Sequence, residues 1–186
     1  MKYYKIIFCL LVVLCVTLIL SNFKSKEFGE TYLEKSIPLI GADLPRSEGF
    51  EGNGIKIAII DTGVDYNHHD LLGFGPNGKV IGGYDFVDND EQPMDTNGHG
   101  TEVAGIIAAD GNLKGVAPKA KLLAYRVSAT GESVSSEFIV SAIHRAIKEK
   151  ADIINISLGV NKTNEELDRA VNEAVKSGIV DRKSVV

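Results

Sequence analysis

Four short apolar runs that alternate with helical patterns limit what this chain can fold into. "IKIAIID" (55–61) is an unbroken apolar stretch ending at an acid, which suits a strand buried on both faces. "KVIGGYDFV" (79–87), "KLLAYRVS" (121–128) and "DIINISLG" (152–159) read as three more strands. Between them, "TEVAGIIAA" has the small residues of a helix packed close to a sheet. "SSEFIVSAIHRAIKEK" gathers Phe138, Ile139, Ala142, Ile143, Ala146 and Ile147 on one face, with Lys148 and Lys150 at its negative end. "NEELDRAVNEAVKSG" opens on Asn164 as N-cap, carries Glu165 and Glu166 in its first turn, and stops at Gly178. The expectation is an α/β fold: a doubly wound, mostly parallel sheet. Sites in such sheets gather at the carboxyl ends of strands, which draws attention to Asp61 and to the Ser157-Leu158-Gly159 turn.

The first 21 residues stand apart. Lys2 and Lys5 precede an apolar run from Ile6 to Leu20, long for a signal-peptide core and short for a membrane span. Ile19 and Ser21 offer a cleavage site before Asn22; uncleaved, residues 6–20 would anchor the chain to a membrane. Either reading places the rest outside the cytoplasmic membrane, secreted or anchored. Residues 22–36 read as a polar linker. Both cysteines, Cys9 and Cys15, lie inside the apolar run, so the exported part has no disulfide and depends on packing or metal. A net charge of −5 with no basic stripe argues against nucleic acid as a partner. Gly52-Asn53-Gly54 precedes a strand instead of following one, so it is no dinucleotide fingerprint.

A carboxylate ending a buried strand is expensive unless it is bonded or paired. Asp61 read alone could simply bond the backbone of Thr62 or Gly63. Paired with His99, in "NGHGTEVAGIIAAD" (97–110), it becomes more specific. A buried acid on one ring nitrogen fixes the tautomer and supports the imidazolium formed during proton transfer. The other nitrogen can then activate a hydroxyl.

Four blocks, "AIIDTGVDYNHHDL", "GHGTEVAGIIAA", "KGVAPKAKLLAYRV" and "ADIINISLG", together resemble the subtilisin-like serine proteases, the subtilases, in order and spacing. The resemblance runs from about residue 37 to about residue 180. It implies a subtilisin-like fold acting on polypeptide substrates, with Asp61 as triad acid and His99 as general base. Ser157, Leu158 and Gly159 would wall the specificity pocket and pair with substrate backbone, as would the loop Ala129 to Gly131 on the other side. Read without the other blocks, "SLG" and "ATG" are plain turns.

In "YDFVDNDEQPMDTNGHG", Asp85, Asp88 and Asp90 are spaced to converge oxygens on one hard cation, or to form a solvated acidic loop. The segment resembles the calcium-binding loop of the thermitase branch, which implies a structural Ca2+ beside His99. His68-His69-Asp70 suggests a metal less well, since adjacent side chains on a turn rarely share an ion. Asp70 matches a calcium ligand of secreted bacterial subtilisins, but the loop between Ala109 and Gly115 is too short to complete that site. His144 reads as a surface residue, and Asn161-Lys162-Thr163 as a sequon.

Two departures stand out. Glu102 replaces a histidine usual in the family, one helical turn from His99. After "AVKSGI" the family continues an apolar strand to an oxyanion asparagine and, further on, a Gly-Thr-Ser nucleophile block. This chain reads "IVDRKSVV", and Ser184 follows no Gly-Thr pair. The resemblance therefore implies a catalytic domain incomplete at the C-terminus, with Asp181, Arg182 and Lys183 where an apolar strand belongs. A secreted peptide-binding fragment or pseudopeptidase is the alternative reading.

Overall fold

A computed structural model describes residues 32–132, 134–159 and 165–183. The chain divides into units of residues 1–35 and 36–186; of the first, only 32–35 are described. The signal or anchor segment and the sequon at Asn161 therefore lie outside the described residues, as does the N-cap assigned to Asn164. No helix among the described residues is long and apolar enough to cross a membrane. Two short helices, α1 (Tyr32–Leu39) and α2 (Asp43–Ser47), precede the sheet. The first begins inside the stretch expected to be linker.

The apolar runs form strands because their alternating side chains have cover on both faces. β1 (Lys56–Asp61) is central, between β3 (Lys121–Arg126) and β4 (Ile153–Ile156). β2 (Val80–Asp85) flanks β3, and β5 (Val180–Lys183) flanks β4. Every pairing is parallel. Ala58 and Ile60 face the helices α4 (Ser136–Lys148) and α5 (Glu165–Lys176), packing with Leu123, Tyr125, Ile139, Ile143 and Leu167. Ile57 and Ile59 face the other way, toward Ala104 and Ala108 of α3 (His99–Ala108). This is the expected doubly wound arrangement, and it fixes the site: Asp61 shares the parity of Ile57 and Ile59, so it points to the α3 face.

A fifth strand adds to the four read from the sequence. Val180–Lys183 pairs with β4 in register, Ile153 opposite Val180 and Ile156 opposite Lys183, although its sequence is charged. Parallel pairing uses backbone groups that every residue carries, and Ile179 just before it is buried and anchors the run.

A glycine in β2 sets how closely that strand approaches β3. Gly83 has φ +144, and a Cβ there would lie 1.8 Å from the Ala124 carbonyl oxygen. Its neighbour Gly82 would meet only ordinary contacts at 3.6 Å. Replacing Gly83 by alanine is expected to cost more than about 2 kcal/mol of stability, whereas Gly82→Ala should cost less than about 1 kcal/mol. Paired urea titrations of the two variants check this, and equal midpoints would contradict it.

Candidate active site

The carboxyl end of β1 and the amino end of α3 meet at a single hydrogen bond. Nδ1 of His99 lies 2.7 Å from Oδ1 of Asp61. Asp61 is wholly buried, while the His99 side chain is 44% exposed, so the pair is closed at the acid and open at the base. Asp61 Oδ1 also accepts the Thr62 amide at 2.7 Å, and its Oδ2 is buried without a hydrogen-bond partner. Burial pushes the Asp61 carboxyl up, opposed by the bonds from His99 and Thr62. The His99 imidazole is raised chiefly by its bond to Asp61; burial opposes the rise, and the charges of Asp61, Glu102 and Asp95 reinforce it. With Nδ1 held by a carboxylate, Nε2 is the nitrogen available to take a proton. It has no hydrogen-bond partner among the described residues.

Backbone approach shapes the pair. A Cβ on Gly100 would lie 2.1 Å from the Gly63 carbonyl oxygen and 3.1 Å from Asp61 Oδ1, so only glycine fits beside the acid. Gly98 is needed for a different reason: at φ +109 it turns the chain into α3, and the space beside it is open.

The organiser of this corner is Asp95, which the sequence reading missed. Its Oδ1 accepts the Thr62 hydroxyl at 3.0 Å and the amides of Asn97 at 2.8 Å and Gly98 at 3.0 Å. Its Oδ2 accepts the Thr101 amide at 2.9 Å and the Thr101 hydroxyl at 2.6 Å. Thr62 in turn accepts the Gly100 amide at 2.9 Å, and Thr101 accepts the Asp65 amide at 2.8 Å. One carboxylate thus caps α3, whose N-cap residue Gly98 has no side chain to do so, and ties it to the residue after Asp61. The available signal was an aspartate four positions before a histidine that opens a helix.

The other expected site residues fall around this pair. Gly131 lies in a loop bonded to the His99 segment through Asn97 Nδ2 and the Thr130 carbonyl, 2.9 Å apart. Ser157, Leu158 and Gly159 leave the carboxyl end of β4. Ser157 Oγ accepts from Asn155 Nδ2 at 2.8 Å, Leu158 is buried, and the space beside Gly159 is open.

Of Asp85, Asp88 and Asp90, the first two are arranged round a cation supplied by the protein, and the three carboxylates do not converge within 4.8 Å of one another. Arg126 Nη1 donates to Asp85 Oδ2 at 2.7 Å and to Asp88 Oδ2 at 2.6 Å. Asp85 Oδ1 accepts the amides of Val87 and Asp88, and backbone bonds pair Asp85 with Asp90. Arg126 Nη2 also donates to Thr96, beside Asp95, at 3.3 Å. The oxygen-rich donor set suits a hard cation. Asp85 and Asp88 already converge on one positive charge, while Asp90 Oδ1 accepts the Gln92 amide. Asp70 is likewise satisfied by the chain: its Oδ1 accepts the amides of Asn112 at 2.5 Å and Leu113 at 3.3 Å. The short loop after Ala109 therefore caps Asp70 with backbone. His68, His69 and Asp70 form the one group of potential metal ligands within 4.8 Å of one another among the described residues, with both histidines exposed.

Residues 52–186 match the model of the Subtilase family. The chain belongs to that family. It is 47% identical over 134 residues to Thermitase of Thermoactinomyces vulgaris, covering 70% of this chain and 46% of that protein. It is 44% identical over 167 residues to Minor extracellular protease Vpr of Bacillus subtilis (strain 168), covering 84% of this chain and 20% of that protein. The fold matches the crystal structure of a cold adapted subtilisin-like serine proteinase at a TM-score of 0.62 and 36% identity, covering 71% of this chain and 46% of that one. The subtilase chain thus spans about half, or less, of the relatives it matches.

Burial alone would raise the Asp95 carboxyl, but the bonds from Gly98, Thr101 and Asn97 hold it below the ordinary carboxylate range. Its stabilisation is therefore full above the unfolded pKa of about 3.9 and lost as pH falls through the lower folded value. Asp95→Asn should cost about 2 kcal/mol near neutral pH. The gap between variant and parent should narrow as the solution is acidified below about pH 4, read by denaturant unfolding along a pH series. A gap that does not change with pH would remove the charged Asp95 from this role.

Proposed function

We propose that this chain supplies the acid and base of a subtilisin-type serine endopeptidase acting on polypeptides. The observation that carries the reading is the 2.7 Å bond from a fully buried Asp61 to an exposed His99. In the proposed reaction, substrate backbone lies extended between the loop at Gly131 and the segment Ser157 to Gly159. Nε2 of His99 accepts the proton of an attacking serine hydroxyl, and Asp61 stabilises the imidazolium that results. The same proton then passes to the leaving amine as the acyl-enzyme forms. The 186 residues contain no Gly-Thr-Ser triplet, and we assign no nucleophile among them. A peptide-binding fragment without catalysis is the second reading. Export or outer-face anchoring through residues 6–20 belongs to the same proposal, as does a relative named as extracellular.

The dyad is tested on the 186-residue chain by NMR. His99 should titrate above its ordinary pKa of about 6.5, and Asp61→Asn should bring it back down. An extended peptide should shift the amides of Gly131 and of Ser157 to Gly159. An ordinary His99 pKa insensitive to Asp61 sinks the acid–base assignment. Labelling of Ser184 by a serine-reactive fluorophosphonate would overturn our view that this stretch holds no nucleophile.

We retain a structural Ca2+ at Asp85, Asp88 and Asp90 within the proposal, because two of these carboxylates, Asp85 and Asp88, already converge on a positive charge. Calcium would pin the loop before His99 and raise the melting midpoint by mass action. Melting with calcium and with chelator decides it. A midpoint that does not move assigns the loop to Arg126 alone.

A further inference from the structure

The end of the sheet opposite the dyad carries a second, unrelated charge arrangement. Lys79 precedes β2, and Lys121 opens β3, both at the amino ends of parallel strands. Between them lies a cavity of about 280 Å3 lined by Lys79, Lys119, Lys121, Asp110, Asn53 and Asn77. Lys79 is 5% exposed, which is unusual for an ammonium. Its Nζ donates to the carbonyls of Pro118 and, at 3.3 Å, Ala120, and lies 4.0 Å from Asp110 Oδ2.

Asp110 cannot balance this group by itself. Its carboxylate also holds Lys114 at 2.7 Å and Lys119 at 3.0 Å. Lys121 bonds the Gly78 carbonyl at 2.7 Å and has no carboxylate partner among the described residues. Three ammonium groups therefore answer to one carboxylate, and a fourth, that of Lys121, lines the same cavity, within a chain whose net charge is −5. Each ammonium has three donors, and Lys121 uses one on Gly78. Burial pulls the Lys79 ammonium down from its ordinary pKa, the Asp110 charge opposes this, and the charges of Lys121, Lys119 and Lys114 add to it.

We propose that this cavity is a binding site for a compact oxyanion of two or more negative charges, held by Lys79, Lys119 and Lys121 with the amides of Asn53 and Asn77 nearby. Phosphate and small dicarboxylates share this chemistry. The cavity volume suits one such anion and excludes a folded peptide. Bound there, the anion joins the turn before β2 to the entry of β3 and to the segment after α3. It stabilises the fold from the end remote from Asp61 and His99.

The test is thermal melting of the 186-residue chain in millimolar sodium phosphate, sodium malonate or sodium chloride at equal ionic strength. One or both divalent anions should raise the midpoint by about 3 °C over chloride. The response to phosphate against malonate distinguishes a phosphate site from a carboxylate site. The Lys119→Gln, Lys121→Gln double variant should lose the increment. Removing the same charge elsewhere, as Lys148→Gln with Lys176→Gln, should keep it. Phosphate or malonate titration followed at the amides of Gly78, Asp110 and Lys121 gives a readout that needs no variant. Equal midpoints in all three salts with unmoved amides overturn the proposal, as does an increment that survives in the Lys119, Lys121 variant.

Discussion

The rest of the carboxyl end is built around one difficulty: a carboxylate carried to full burial at the end of a central strand. Asp61 is there because β1 alternates, and its parity sends it toward α3 beside Ile57 and Ile59. A buried charge with one oxygen unpartnered is unstable unless the other is well served. Oδ1 receives both the Thr62 amide and His99 Nδ1. The histidine is thus part of the solution to burying Asp61, and its own basicity rises as a consequence. Structure and chemistry rest on the same bond.

That bond requires a loop to hold His99 at one angle, and the chain has no disulfide in its described part to do it. Charged hydrogen bonds take that role. Asp95 gathers Thr62, Asn97, Gly98 and Thr101 onto one carboxylate, so the residue after the acid and the first turn of α3 move together. Arg126, at the carboxyl end of β3, then links Asp85 and Asp88 to Thr96 in the same loop. Such bonds are stronger than neutral ones and directional. The elements that carry them, β1, β2, β3 and α3, are fixed by the core beneath, so the loop inherits their rigidity.

The strands of this sheet were legible in the sequence because both faces are covered, which makes each run continuously apolar. The four expected strands agree with β1 to β4, with the flanks of 79–87, 121–128 and 152–159 falling outside the ladder. The pairing of Asp61 with His99 was legible because both sit at the ends of strongly patterned elements. Asp95 and Arg126 were not. Their work is done through backbone amides and a guanidinium from a distant strand, and neither leaves a periodic trace. Arg126 was hidden inside a strand pattern, where a lone charge looks like an exposed end. The charged β5 escaped for the opposite reason: pairing needs only backbone, while side-chain pattern is all a sequence displays.

The two ends of the sheet solve their charge problems in opposite ways. At the carboxyl end Asp95 is served by amides and hydroxyls on both oxygens, while the His99 side chain stays partly exposed. At the amino end the imbalance is reversed, with one aspartate, Asp110, shared among three lysines and Lys121 close by. Parallel strands force such a separation, because every strand begins at one end and finishes at the other. Groups placed at strand starts can therefore alter stability without approaching the dyad. A ligand at the amino end would act on the fold that holds His99 in place, and on the proposed proton transfer only through that fold.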